Sequence, residues 1–167
     1  MTERVQKAID IFLDSLNDGT LIAGNCAACA VGNLVAANCG VKLRLTIDSC
    51  GDKTVSIEHD TAFLPEIGKP AKLRSWVNLF CTGEFGQTRA SIKAFTPKMQ
   101  EEMLAIVNRT GFTINELAEI EYTFETVAKH QGVISALEAV VQVMLNFDDN
   151  VEDVKEVFTN KAEAIYA

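Results

Sequence analysis

Residues 25–40 form a segment of unusually small side chains, and this segment constrains the fold more than any other part of the chain. Between Asn25 and Gly40 the chain reads NCAACAVGNLVAANCG, in which alanine, glycine and cysteine fill most positions. The pattern predicts a helix that begins at an Asn25 cap and ends at Gly40. Because small side chains let a neighbouring backbone or a ligand approach closely, we expect this helix at the centre of the fold.

Apolar residues recur at helical spacing in five further segments. Capping residues and glycine stops set their limits. The predicted helices are, in chain order, Thr2 to Gly19, Pro97 to Gly111, the segment after the capping box Thr113–Glu116, Gly132 to Phe147, and the segment after Asn150.

Apolar and polar residues alternate with a period of two over residues 42–59, which predicts a β-hairpin. Residues 60–72 contain Pro65, Gly68 and Pro70 and are typical of a connection. Residues 73–95 fit a short helix or a strand equally well. We therefore predict an α+β fold that is predominantly α-helical, with about six helices and one hairpin.

The length and the even hydrophobicity favour a single globular domain over residues 1–167, with 149–167 as an acidic C-terminal extension. The formal net charge is −8, and residues 113–167 carry the whole excess, with 11 acids against 3 bases. General nucleic-acid binding requires the opposite sign, because phosphate neutralisation supplies most of its affinity. We therefore exclude that class of function.

Residues 67–98 form a basic window that carries six bases against Glu84 alone and includes four aromatic residues. Guanidinium groups beside an aromatic plane can hold a base and its phosphate. We expect Trp76, Arg74 and Arg89 to bind an anionic small molecule such as a nucleotide, and the sequence adds Asn33 and Thr82 as polar contacts. The alternative is a solvated basic face beside a tryptophan of the core.

The five cysteines follow an N-terminal segment that lacks the pattern of a secretory signal, so we expect reduced thiols in a cytoplasm. Cys26 and Cys29 are spaced like a thiol redox pair or two zinc ligands. The βαβ context of the first and the remaining ligands of the second are missing. The interpretation that the pattern favours is small buried thiols that pack like alanines, and no cofactor is indicated.

Two other features bear on membranes and catalysis. Asn25, Asn33 and Asn38 interrupt the apolar stretch 21–41, which argues against a membrane span. The sequence contains no nucleophile–base motif or phosphate-cradling loop, and His59 and His130 lack the partners of a general base. The acids at 119, 121 and 125 are best explained as a solvated face. The sequence therefore favours a binding protein over an enzyme.

Four segments in this order resemble a group of small uncharacterised proteins from Bacteroidetes and their crAss-like tailed phages. The resemblance covers roughly residues 5–147, and it implies a phage or Bacteroidetes origin and a shared core without a catalytic assignment. The hairpin and the basic stretch 83–98 look longer here than in the short bacterial members, and the final acidic helix looks like an extension. The segments are CAACAVGN at 26–33, SWVNLFCT at 75–82, TGFTINELAEIEYTFE at 110–125 and GVISALEAV at 132–140.

Three functions follow as hypotheses. The first is a non-enzymatic small-ligand binder, which in a phage would sequester a nucleotide-type signal of host immunity. The second is an interaction or regulatory protein, a homo-oligomer whose partner docks on helix 133–147 or on the acidic C-terminal helix. The third is a zinc- or thiol-dependent protein that uses Cys26 and Cys29.

Overall fold

A computed structural model describes residues 1–25, 27–73 and 96–148. Helices make up more than half of these residues, and the strands form two separate antiparallel hairpins, so the predicted predominantly helical α+β fold is confirmed. The elements are α1 (Glu3–Asp18), α2 (Ala30–Asn38), β1 (Leu43–Ile47), β2 (Lys53–Ile57), β3 (Thr61–Leu64), β4 (Lys69–Lys72), α3 (Pro97–Thr110), α4 (Ile114–Gln131) and α5 (Val133–Phe147).

The described ranges hold five helices, where the sequence predicts about six for the whole chain. The difference is the helix predicted after Asn150, which lies outside the described residues, as does the undecided segment from residue 74 to residue 95. The predicted hairpin at 42–59 is confirmed, since β1 pairs with β2 and places Leu43 opposite Ile57.

The prediction of a single hairpin is wrong, because the expected connection at 60–72 forms β3 and β4. Pro65 and Gly68 lie in the turn between these strands, and Gly68 adopts φ +66°. Pro70 lies within β4 opposite Phe63. A proline is tolerated there because both strands of a two-stranded sheet are edge strands. The prolines and the glycine, which predicted a connection without strands, are therefore part of a short hairpin.

Helix α2 lies at the centre of the described helices and contacts α1, α3 and α4. Residues 30–36 are all buried, as the run of small side chains predicts. The helix begins at Ala30 and not near Asn25, because Cys29 is its N-cap and accepts a hydrogen bond from the Gly32 N–H at 3.3 Å. Asn25 instead closes a preceding turn by accepting from the Ala27 N–H at 3.1 Å.

Buried apolar side chains from all five helices and from the second hairpin form one cluster. Phe12 of α1 and Phe124 of α4 are among its largest fully buried members. Burial of each such side chain stabilises the fold by roughly 1.5–3 kcal/mol. Helices α4 and α5 pack along each other and are joined at Gly132, whose φ of +88° favours glycine. Among the described helices, none is long and apolar enough to cross a lipid bilayer.

The first hairpin packs against the C-terminal end of α1. Gly19 caps this end with φ +72°, as the sequence predicts. A Cβ atom at residue 19 would lie 3.0 Å from Cδ2 of Leu45 in β1. Glycine at this position therefore serves both the helix end and the close approach of the hairpin.

Arg4 joins the N-terminal end of α1 to the ends of three other segments. Its guanidinium binds both carboxylate oxygens of Glu116 at 2.9 Å, donates to the Gly111 carbonyl at 3.0 Å and pairs with Asp148. The same group lies 4.7 Å from the ring centroid of Phe112. We call Arg4, Glu116 and Asp148 the Arg4 junction.

Two predicted caps have different outcomes at this junction. The capping box is confirmed, because Thr113 and Glu116 exchange hydrogen bonds with each other's backbone N–H at 3.1 and 2.9 Å. Thr2 occupies the N-cap position of α1, but its hydroxyl makes no capping bond and donates to Asp148 at 2.6 Å. The expected side-chain cap at Thr2 is therefore wrong, since its hydroxyl donates its hydrogen bond to the nearby carboxylate of Asp148.

We expect Arg4→Gln to lower the free energy of unfolding by about 2–4 kcal/mol, because it leaves two partly buried carboxylates without their cation. Denaturant unfolding measures this. The matched control is Arg44→Gln, which breaks the exposed pair of Arg44 with Glu58 and is expected to cost less than about 1 kcal/mol. Equal losses for the two variants would contradict the junction's role.

The same junction predicts an acid-sensitive stability. Partial burial raises the pKa of Glu116, but hydrogen bonds from Arg4 and Thr113 outweigh it and hold the pKa below its ordinary 4.5. Hydrogen bonds from Arg4 and then Thr2 lower the pKa of Asp148 from its ordinary 3.8. The unfolded chain therefore binds more protons in acid, and the stabilisation is lost as the pH falls below about 4.5.

Unfolding free energies of the wild type and of Arg4→Gln, measured from about pH 6 to about pH 3, test this expectation. The difference in unfolding free energy between the wild type and Arg4→Gln should become smaller as the pH falls. A difference that stays constant over this range would contradict it.

Candidate functional site

Most of the residues predicted to bind a ligand lie outside the described ranges. These are Arg74, Trp76, Thr82 and Arg89, and Cys26 of the cysteine pair lies outside as well. Asn33 and Cys29 are described. The roles of the undescribed residues stay predictions.

Described residues on both sides of segment 74–95 lie close to α3 in the structure. The Leu73 N–H donates to the Asp60 carbonyl at 2.8 Å, and the Lys72 N–H donates to Glu102 of α3 at 3.1 Å. The segment leaves β4 at this point and rejoins the described chain at Thr96, directly before α3. Lys72 and Thr96, which belong to the basic window, therefore both lie beside this helix.

A cleft of about 630 Å³ lies between α3 and the turn of the second hairpin, and we call it the α3 cleft. Pro97, Leu104 and Ala105 give it apolar surface, and Leu104 is 45% exposed although it is a large apolar residue. Gln100 and Asn108 add amide groups. Small-molecule sites commonly enclose about 300–1,000 Å³ with apolar walls and a few polar groups, and the α3 cleft has this size and composition.

The charges of the α3 cleft are largely paired. Arg109 binds the carboxylate of Glu66 through two hydrogen bonds at 2.9 and 3.2 Å, which tie α3 to the hairpin turn. These bonds lower the pKa of Glu66. Glu101 is the other charged residue among the described lining. The described part of the cleft is therefore mildly acidic, and basic groups for an anion would have to come from the neighbouring basic window.

A second cleft, of about 560 Å³, lies between the C-terminal end of α2 and the two hairpins, and Cys39, His59 and Phe63 line it. Burial raises the pKa of the Cys39 thiol to about 11, and the positive charge of Arg109 opposes this only in part. The thiol is thus protonated at neutral pH and is a poor nucleophile. Within the described residues, no three histidine, cysteine or acidic side chains are arranged to hold a metal ion.

Asn33 lies in a third cleft, of about 380 Å³, between α1 and α2, which we call the α1–α2 cleft. The two N–H groups of its amide are shared among the carbonyls of Thr20, Ala28 and Cys29, which lie 2.9, 2.9 and 3.1 Å from Nδ2. These bonds fasten residues 20–29 to α2. Asn33 therefore has a structural role, and the structure places it on a lining different from that of the α3 cleft.

The loop before α2 is also held from α4, by Glu125, which the sequence predicted to be solvated. Glu125 accepts the Gly24 N–H through both carboxylate oxygens at 3.1 and 2.9 Å. Burial raises the pKa of Glu125, although this hydrogen bond opposes the effect. Glu121 is buried, whereas Glu119 is exposed as predicted. The solvated acidic face is therefore wrong for Glu121, which is buried, and for Glu125, which binds the loop.

Comparison with protein-family models, with curated proteins and with solved structures found no match for this chain. The resemblance to Bacteroidetes and phage proteins stays a prediction.

The carbonyl contacts of Asn33 predict that Asn33→Ala lowers the free energy of unfolding by about 2–4 kcal/mol, at roughly 1–2 kcal/mol for each of its two buried N–H donors. The control is Asn38→Ala on the same helix. Asn38 makes one bond, to the Leu34 carbonyl at 2.8 Å, and its Oδ1 is buried without a hydrogen-bond partner in the described structure. We expect Asn38→Ala to change stability by less than about 1 kcal/mol. Similar losses in thermal or urea unfolding would contradict the assigned role of Asn33.

Proposed function

We propose that this chain is a non-enzymatic protein that binds a small anionic ligand such as a nucleotide. The observation that carries the proposal is the α3 cleft, which has the size of a ligand site and includes Ile67 and Pro97 of the basic window in its lining. The described wall supplies apolar contact through Leu104 and Pro97. The cations and the aromatic plane would come from Arg74, Arg89 and Trp76, with Thr82 as a polar contact.

The charges support a site in which the cleft supplies apolar contact and the basic window supplies the cations. An anion needs more positive charge than the described cleft holds, because Arg109 is paired with Glu66. Lys72 and Lys98 are exposed beside the two ends of segment 74–95. A nucleotide could then place its base on the apolar wall and its phosphate on the basic side.

The setting we propose for this activity is the cytoplasm of a bacterium. If the resemblance to phage proteins holds, sequestration of a nucleotide signal of host immunity would need only tight binding and no catalysis. The protonated thiol of Cys39 and the buried capping position of Cys29 favour binding over thiol chemistry.

Exposed apolar side chains favour a homo-oligomeric interaction protein as the second candidate. Phe63 and Ile47 are large residues exposed on the two hairpins. Helix α5, which the sequence predicted as a docking helix, instead directs Leu137, Val140 and Met144 into the core of its own chain. Among the described elements, the hairpins therefore offer a partner more exposed apolar surface than this face of α5 does.

Thermal unfolding with a panel of linear and cyclic nucleotides, followed by calorimetric titration, tests the first candidate. A nucleotide at about 100 times its dissociation constant should stabilise the protein by about 2.7 kcal/mol. We expect Arg74→Gln and Trp76→Ala to weaken binding. Leu104→Asp should weaken it as well, because the new carboxylate enters the α3 cleft.

The matched control is Tyr122→Asp, since Tyr122 is 60% exposed on α4 and does not line the α3 cleft. It should leave the affinity unchanged. If no nucleotide changes the melting temperature or produces heat, the proposed function is wrong. A stable homodimer that binds none of them would favour the second candidate.

A further inference from the structure

The α1–α2 cleft combines an acidic rim with a buried polar floor. Asp14 and Asp18 of α1 line its rim, Thr20 and Asn33 line it in the interior, and Ile11 and Val41 are among its apolar residues. Asn33 is 4% exposed and Thr20 is 7% exposed. Burial of a polar side chain costs free energy unless hydrogen bonds replace the water that each of its polar atoms lost on folding.

Two oxygen atoms of this floor lack hydrogen bonds of normal length. The sole contact of Asn33 Oδ1 in the described structure is the Thr20 hydroxyl at 3.5 Å, and that hydroxyl lies equally far from the Ser15 carbonyl. One hydroxyl proton cannot serve both acceptors, and O–H···O bonds are normally about 2.5–3.0 Å long. The Ser15 carbonyl already accepts the Thr20 N–H at 2.9 Å. The floor therefore retains acceptor capacity for an incoming donor.

The rim favours a cation for two independent reasons. Asp14 and Asp18 lie four residues apart on one face of α1 and form no ion pair within the described ranges. They also lie near the C-terminal end of α1, where the helix dipole is negative and the last turn holds no basic residue. Lys42 is the one base among the described lining residues, so the carboxylates exceed the cations.

We propose that the α1–α2 cleft binds the primary ammonium group of a small alkylamine. The ammonium would donate to Asn33 Oδ1 and Thr20 Oγ1, Asp14 and Asp18 would balance its charge, and its carbon chain would lie on the apolar wall. A bare metal ion fits less well, because the described residues offer no cluster of three metal-binding side chains and the cleft is larger than an ion needs. This site is separate from the proposed nucleotide site.

Titration of the whole chain with n-butylammonium, followed by amide chemical shifts, tests the proposal. Saturable shifts at Thr20, Asn33 and Val41 are expected. Tetramethylammonium, which has the same charge but no N–H, should bind at least roughly threefold more weakly, since it cannot donate to the floor. Magnesium ion should not reproduce the pattern of shifts.

Butylammonium binding by variants distinguishes a specific site in the α1–α2 cleft from general attraction of cations to an acidic protein. Asp18→Asn should weaken butylammonium binding roughly threefold or more, whereas Glu119→Gln, an exposed carboxylate on α4 outside the cleft, should not. Thr20→Val should weaken binding without unfolding the protein, because the hydroxyl makes only the two 3.5 Å contacts. Absence of saturable binding, equal binding of the two ammonium ions, or equal effects of Asp18→Asn and Glu119→Gln would overturn the proposal.

Discussion

The hydrogen bonds from the Asn33 carboxamide to three backbone carbonyls are the constraint on which the centre of this structure depends. They fasten residues 20–29 to α2 at a place where the small side chains of the helix leave room for the backbone. Glu125 holds the same loop from α4 through Gly24. The loop in turn supports the first hairpin, since Asn25 donates to the Val55 carbonyl at 3.4 Å. One buried amide therefore positions α2, the loop and an open cleft together.

The helices could be predicted from the sequence because their signals are local. The glycine stop at 19, the helix start at Gly132 and the capping box at Thr113 each act within one turn of helix, so neighbouring residues decide them. The second hairpin could not be predicted, because Pro70 is compatible with a strand only when that strand lies at an edge. The start of α2 could not be predicted either, since Asn25 is a preferred N-cap residue and cysteine is not, yet Cys29 caps the helix.

The candidate sites depend on contacts between residues distant in sequence, and for that reason they were harder to anticipate. The sequence singled out Asn33 as a polar contact, and the structure places it on the lining of a cleft, but beside the carboxylates of Asp14 and Asp18. The α3 cleft was missed, because Leu104 reads as an ordinary member of an amphipathic helix. Its place in the cleft depends on the second hairpin, whose turn meets α3 through Glu66 and Arg109.

Amide hydrogen exchange in the loop before α2 tests the central claim most directly. The Ile22 N–H bonds to the Ala28 carbonyl at 2.9 Å, and the Cys29 N–H bonds to the Asn25 carbonyl at 2.8 Å. If the Asn33 amide fixes this loop, both amides should exchange as slowly as those in the middle of α2, with opening only through global unfolding. Rapid exchange at residues 22 and 29 beside a protected α2 would show that the loop is not held, and would contradict the account.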